Sequence, residues 1–346
     1  MNMRVKRCIG GSILLLLVFL SVGLVWHRTG TAKRRTTNTV DSRASVKDYR
    51  YRSRESAKNR WLKNLSYDFL DELMIPGMPS SKLQDLETQK IFSAAQCPQG
   101  ICLTGEYVIL TSYSEGRDDL GELFVFDRES GDFLVTLGMN PKSHLGGVAF
   151  DGQNVWICNS SSRSIERISY DFVKLMADQN TGEVVDASKM VDTIPVENTP
   201  SCITYDNGRL WIATHTVSGD SELVAYYYNS KKEDLTALSS YRIPRKVQGI
   251  AFDDAGRVYL STSYGRAASS YLKVYASVFA MSGNPNKPQI QVEMPPGSEE
   301  IAISGDEIYV LFESAGEKYF YGTDGKGISL SPIDKILVLG RSALTG

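Results

Sequence analysis

The chain is poor in the signatures that announce common chemistries. It has three histidines and five cysteines in 346 residues. It shows no Gly-Lys-Ser/Thr phosphate loop, no HExxH, no CxxC and no G-x-S-x-G elbow, so nucleotide hydrolysis at a P-loop, zincin proteolysis, dithiol redox work and the α/β-hydrolase reaction have no sequence support. A basic domain is also missing. Residues 1–63 carry 15 Lys and Arg against Asp41, Asp48 and Glu55, or +12, and the rest of the chain sums to −14. The larger part therefore has no charge excess to suit a nucleic-acid backbone.

Long apolar runs are absent except at one place. From Cys8 to Trp26 the sequence CIGGSILLLLVFLSVGLVW has no charge and follows Arg4, Lys6 and Arg7. That is about the length that crosses a bilayer core as a helix. It is longer than the apolar region of a cleaved signal peptide and no small-residue cleavage site follows it, so it reads as a signal anchor. The expected order is a cytoplasmic head (1–7), a transmembrane anchor (8–26), a basic tether (27–59), a short helix and linker (60–86) and a folded domain (87–346). This gives a single-pass, membrane-anchored protein with its domain outside the cytoplasm. The tether is too poor in aliphatics to bury a core and its charge suits an anionic membrane surface. The helix is expected from Trp61, Leu65, Phe69 and Leu73, which recur every four residues before Pro76 and Gly77.

What the chain does contain is one phrase written five times. It reads GICLTGEYVILTS from Gly100, GVAFDGQNVWICNS from Gly147, CITYDNGRLWIATH from Cys202, GIAFDDAGRVYLSTS from Gly249 and EIAISGDEIYVLFES from Glu300, with starts 47, 55, 47 and 51 residues apart. Each copy is an apolar run, a Gly/Asp/Asn turn and a second run with an aromatic residue, the pattern of an antiparallel hairpin. Strand units at that period are propeller blades. Third strands begin near Gly121, Arg163, Ser221, Ser270 and Asp334, and fourth strands end just before the next copy. The last copy lacks a fourth strand, and ETQKIFSAA (Glu87–Ala95) stands spare at the front to complete it. The fold class is all-β, a five-bladed β-propeller. Six blades is the alternative if a degenerate unit hides between Ser169 and Asp192, a stretch that otherwise reads as a partly helical insertion.

Where the copies agree, packing explains them. Gly100, Gly147 and Gly249 let inner strands crowd the axis, Asp151, Asp206 and Asp253 cap turns, and Tyr107, Trp156, Trp211, Tyr259 and Tyr309 fit between blades. Cys102 and Cys158 lie in strands as buried thiols, and a Cys97–Cys102 pair across a loop is open.

Where the copies differ, function can reside. The links between blades and the loops between second and third strands open on one face around the channel. There the sequence supplies Gln99, Ser143, His144, Ser201, Gln248, Glu299 and Glu300, together with Tyr113, Arg117, Arg163, His215, Tyr264, Arg266 and Glu313. From this rim Gln99, Ser143, His144, Gln248, Glu299, Glu300, Tyr113, His215, Tyr264 and Arg266 form the expected ligand-binding set. His144 and His215 read equally as loop hydrogen-bonders. Glu299 and Glu300 replace small or amide residues of other blades and are the sharpest departure.

The phrase G-[IV]-A-[FY]-D, seen as GVAFD and GIAFD, resembles the NHL, YVTN and gluconolactonase-like propellers over most of residues 87–340. The gluconolactonase-like resemblance implies a divalent cation such as calcium on the axis, held by a Glu, an Asn and an Asp. Glu299 or Glu300 matches the Glu, Gln99, His144, Ser201 and Gln248 stand where further acidic or amide ligands are wanted, and the candidate metal set of this chain is Glu299, Glu300 and His144. Two readings follow: a module binding a protein or carbohydrate ligand through its polar face, and a metal-dependent hydrolase of lactone or sugar-ester type. A glycosidase would need two carboxylates flanking the bond, and Glu299 with Glu313 is the pair at hand.

Overall fold

A computed structural model gives the architecture, and it describes residues 61–62, 65–76, 78, 96–114, 120–141, 144–179 and 184–345. The expected head, anchor and tether lie outside the described residues. Among the described residues no helix is long and apolar enough to cross a membrane.

Five antiparallel sheets follow one another along the chain. Blade 1 runs outward through Gln96–Leu103, Tyr107–Ser114, Leu120–Asp127 and Phe133–Pro141, blade 2 through Leu145–Phe150, Asn154–Asn159, Ser164–Ser169 and Val191–Pro195. Blade 3 uses Cys202–Asp206, Arg209–Ala213, Ser221–Asn229 and Asp234–Ile243, and blade 4 uses Val247–Phe252, Val258–Thr262, Ser270–Tyr275 and Ile290–Met294. Blade 5 has Ser298–Ser304, Glu307–Phe312 and Leu337–Gly340. The innermost strands touch in a closed cycle, blade 5 meeting blade 1. Among the described residues no sixth unit appears: the insertion forms a helix at Tyr170–Gln179 and a short strand, Val185–Asp186, added in parallel to the outer edge of blade 1.

The ring closes with a different strand from the one expected. Tyr67–Phe69 pairs antiparallel with Leu337–Gly340 as the fourth strand of blade 5, while 87–95 lies outside the described residues. The expected helix is accordingly a strand at this point. A four-residue apolar spacing serves either state, and here the unpaired edge of blade 5 decides, because its backbone groups need partners. The same segment buries Trp61, Leu62 and Phe69 against blades 4 and 5, and Leu73, Ile75 and Met78 against blades 5 and 1. Lys335, 2% exposed, fixes it by donating to the carbonyls of Asp71 (3.2 Å) and Leu73 (2.8 Å).

Five hydrophobic clusters fill the five gaps between blades, and each contains one of the aligned aromatics: Tyr107, Trp156, Trp211, Tyr259 and Tyr309. The turn aspartates hold some of them from behind. Asp151 caps Gln153 and Asn154 amides and accepts from Trp156 Nε1 at 2.7 Å, and Asp253 accepts from Tyr259 OH at 3.0 Å. The glycines answer to close approach. A Cβ on Gly147 would meet a carboxylate oxygen of Glu300 and come within 2.7 Å of Cys202 Cα, and one on Gly249 would lie 2.6 Å from Glu300 Cα. Cys97, Cys102, Cys158 and Cys202 are buried thiols outside any disulfide, Cys97 and Cys102 sharing one strand.

Candidate functional site

Four of the five innermost strands carry an irregularity near their start. Pairing with the second strand shifts between Pro98 and Gly100, Leu145 and Val148, Val247 and Gly249, and Ser298 and Ile301. A bulge inserts a residue and re-aims a side chain out of the regular alternation. The residues set free in this way are Gln99, the Gly146–Gly147 pair, Gln248, and Glu299 with Glu300.

Glu299 and Glu300 part company there. Glu300, fully buried, accepts backbone N–H bonds from Val148 (2.6 Å), Ile101 (3.2 Å) and Ile203 (3.1 Å), which belong to the inner strands of blades 2, 1 and 3. Burial drives its pKa upward and the three amides pull against that. It is a hub for the ring. Glu299 instead accepts from Gln248 Nε2 at 2.9 Å and is hydrogen-bonded to Glu313, on the loop after the second strand of blade 5. Burial, then the charge and hydrogen bond of Glu313, raise the Glu299 pKa far above the carboxylate range. Glu313 is raised by burial too, against donors on several sides: Tyr319, Lys318, Gln99 and Glu299 all favour its anion. Gln99 Nε2 lies 3.1 Å and Cys97 Sγ 3.7 Å from its Oε2. Two buried carboxyls in contact resist ionising together, and both are raised, Glu299 by burial and then by Glu313, and Glu313 by burial against the donors around it.

Glu313 faces a pocket of about 550 Å³ at the channel mouth. Its wall on blades 5, 1 and 4 is tightly tied. Lys318 Nζ donates to Tyr113 OH and stands 4.6 Å and 4.7 Å from the ring centres of Tyr113 and Tyr319. Both phenols are pushed upward by burial first and by neighbouring acidic groups next. The Tyr113 and His144 rings lie 4.3 Å apart at 32°. Arg266 clasps the blade 5 loop: it donates to the carbonyls of Lys318 (3.0 Å) and Gly327, pairs with Asp324 at 2.5 Å, and its guanidinium lies 4.7 Å from the Tyr319 ring centre. Across the pocket, blades 2 to 4 supply Ser160, Thr199, Ser201, His215, Gln248 and Tyr264.

The structure thus brings Gln99, Tyr113, His144, His215, Gln248, Tyr264 and Arg266 to one pocket, with Glu299 behind Glu313. Glu300 does not line it, and Ser143 lies outside the described residues. Arg163 turns away to donate to the Glu197 carbonyl at 2.5 Å. The expected metal set of Glu299, Glu300 and His144 is not assembled, because both Glu300 oxygens face backbone amides; among the described residues no group of three or more His, Cys, Asp or Glu is placed to hold a metal. Nor do Glu299 and Glu313 flank a space. In contact with each other, they are far closer than the roughly 5 Å that a retaining glycosidase pair requires. Lys318 and Tyr319 escaped sequence reasoning. The signal was the long connection of blade 5, residues 313–336, against 160–163 in blade 2 and 263–269 in blade 4.

No family model matches the chain, and no curated protein is similar to it. Solved structures that are similar include glutaminyl cyclase of Myxococcus xanthus, with TM-score 0.43 and 10% identity over 79% of this chain and 97% of that one. A nidogen/laminin complex follows at TM-score 0.38 and 13% identity, over 68% and 80% of the two chains. Kuenenia stuttgartiensis hydrazine synthase gives TM-score 0.34 and 12% identity over 63% and 56%. The five-bladed architecture rests on the strand pairings above and not on these likenesses.

Proposed function

We propose that this chain is a membrane-anchored β-propeller, displayed outside the cytoplasm, that binds a ligand in the pocket at its channel mouth. One observation carries the reading. A carboxyl pair in contact, Glu299 and Glu313, is buried beside an open pocket and held by Gln99, Gln248, Lys318 and Tyr319. Fold closure does not need this pair, since Glu300 already ties three inner strands together. Buried ionisable groups are costly, and clusters of them at a cleft mark functional sites. A binding role suits the arrangement because Glu313 is already saturated with donors and holds the wall of the pocket rigid. The apolar stretch 8–26 and its basic tether supply the membrane attachment.

The test is thermal melting of the full-length protein in mild detergent against sugars, amino acids, nucleotides, peptides and divalent cations. A ligand that favours the native state raises the melting temperature, and Glu313→Gln should abolish that rise. Rises that survive Glu313→Gln and Gln248→Ala unchanged would place binding elsewhere. For topology, protease added to intact cells should degrade the domain; full protection would refute the extracytoplasmic placement.

A further inference from the structure

The two walls of the pocket are unequal in hydrogen bonding. On the side of blades 5, 1 and 4, Glu313, Gln99, Tyr113, Lys318, Tyr319 and Arg266 are tied to one another or to backbone. On the side of blades 2 and 3, the hydroxyls of Ser160, Thr199 and Ser201 line the pocket without a side-chain hydrogen bond among the described residues. His215 joins them. Its Nδ1 lies 3.1 Å from the Val247 carbonyl, which can only accept, so Nδ1 carries a proton and, of the two neutral tautomers, the contact selects the one whose Nε2 is an acceptor. Neutral groups that both donate and accept suit ligand hydroxyls, which do the same. Tyr264, 52% exposed at the mouth, offers a ring for the C–H face of such a ligand.

Charge adds a second condition. The domain is acidic, yet the pocket is not. Its ionisable lining, besides the tyrosines and histidines, is Lys318, Lys326 and Arg266 against Glu313 and Asp324. Asp324 is committed to Arg266. Lys246 stands 4.9 Å from the centre of the Tyr264 ring, and Lys326, which lines the pocket, adds its charge to that of Arg266 beside Asp324. Lys246 sits at φ 66° in the turn that enters blade 4, its amide donating to the Thr216 carbonyl at 2.8 Å and its carbonyl accepting from the Ser263 amide at 2.9 Å.

We propose that the pocket takes an acidic carbohydrate, a sugar bearing a carboxylate or a phosphate, with its hydroxyls on Thr199, Ser201 and His215 and its acid group toward Lys246 and Lys326. This rests on the reading of the pocket as a ligand site. A volume of about 550 Å³ is ample for one or two sugar rings.

Titration calorimetry of the full-length protein with glucuronate, glucose 6-phosphate, glucose and citrate tests it. One of the two acidic sugars should bind at least tenfold more tightly than both glucose and citrate, and the two arms separate carboxylate from phosphate. Thr199→Ala with Ser201→Ala should weaken that sugar by about tenfold, as two neutral hydrogen bonds imply, and Lys246→Ala with Lys326→Ala should bring its affinity down to that of glucose. Citrate binding as well as the acidic sugars, or no effect of the hydroxyl variant, overturns the proposal. If neither acidic sugar binds while another class raises the melting temperature in a Glu313-dependent way, the carbohydrate proposal falls and the pocket stands. If no ligand depends on the pocket, both fall.

Discussion

Glu299 and Glu300 are neighbours in sequence and occupy different regions of the molecule. Below the pocket, at the hub, Glu300 is grasped by backbone amides of three other blades and its neighbours are glycines. In the pocket layer above, Glu299 is grasped by side chains, Gln248 and Glu313, whose other contacts lead to the channel mouth. Backbone donors are present in any propeller and make the hub a matter of architecture. Side-chain donors are chosen residue by residue, so the layer above is where this chain differs from its own repeats. The same bulge serves both, by releasing two consecutive side chains from strand alternation.

The largest effect that separates the two regions is expected at the hub. Glu300→Ala leaves three buried N–H groups without a partner and opens a void among strands that glycine lets approach closely. At 1–3 kcal/mol for each orphaned donor, the loss is about 3 kcal/mol or more. Denaturant unfolding should show it as a lower midpoint, and an unchanged midpoint would mean that the ring closes without its hub.

A subtler effect belongs to Glu299. Its folded pKa lies above the unfolded value, so the native state binds the extra proton and stability declines as pH rises from about 4.5 toward the raised folded value. Glu299→Gln keeps a neutral donor to Glu313 and removes the titration. Its unfolding free energy should match the wild type at low pH and exceed it at alkaline pH, which parallel denaturant series would reveal. Equal slopes for both proteins would show that Glu299 is ionised in the fold.

The ring was legible in the sequence because packing repeats. Five hairpin phrases carry five aromatics into five inter-blade gaps, and the glycines report how near the inner strands come. The polar rim was legible for the converse reason, as the positions that break the repeat. Divergence of Glu299 from Glu300 was not legible, since a bulge depends on strand register, which alternation alone does not specify. The closing strand was missed because Tyr67–Phe69 is short and shares its apolar spacing with a helix. Lys318 and Tyr319 were missed because they stand in an irregular loop, placed by Arg266 from another blade rather than by any local pattern.

That clasp offers a smaller perturbation within the pocket layer. Arg266→Ala removes the donor to the Lys318 and Gly327 carbonyls and the partner of Asp324, while the strands beneath are untouched. Hydrogen exchange should quicken across residues 313–336 and remain unchanged in the inner strands, as local opening without global unfolding predicts. Exchange that quickens everywhere would join the loop to the hub and erase the distinction between them.

The smallest effect on stability is expected where the pocket is least tied. Ser201 and Thr199 follow the outer strand of blade 2 and reach the channel face with hydroxyls that hold nothing among the described residues. Replacing both by Ala leaves no donor orphaned and no cavity in a core, so the unfolding midpoint should stay within about 0.5 kcal/mol of the wild type. Their backbones must remain, because the Ser201 amide donates to the Ala213 carbonyl and its own carbonyl receives the Gly147 amide, each at 2.9 Å. A loss well above that limit would reveal that the hydroxyls serve the hub. A neutral result combined with lost binding would separate the region that makes the ring from the region that uses it.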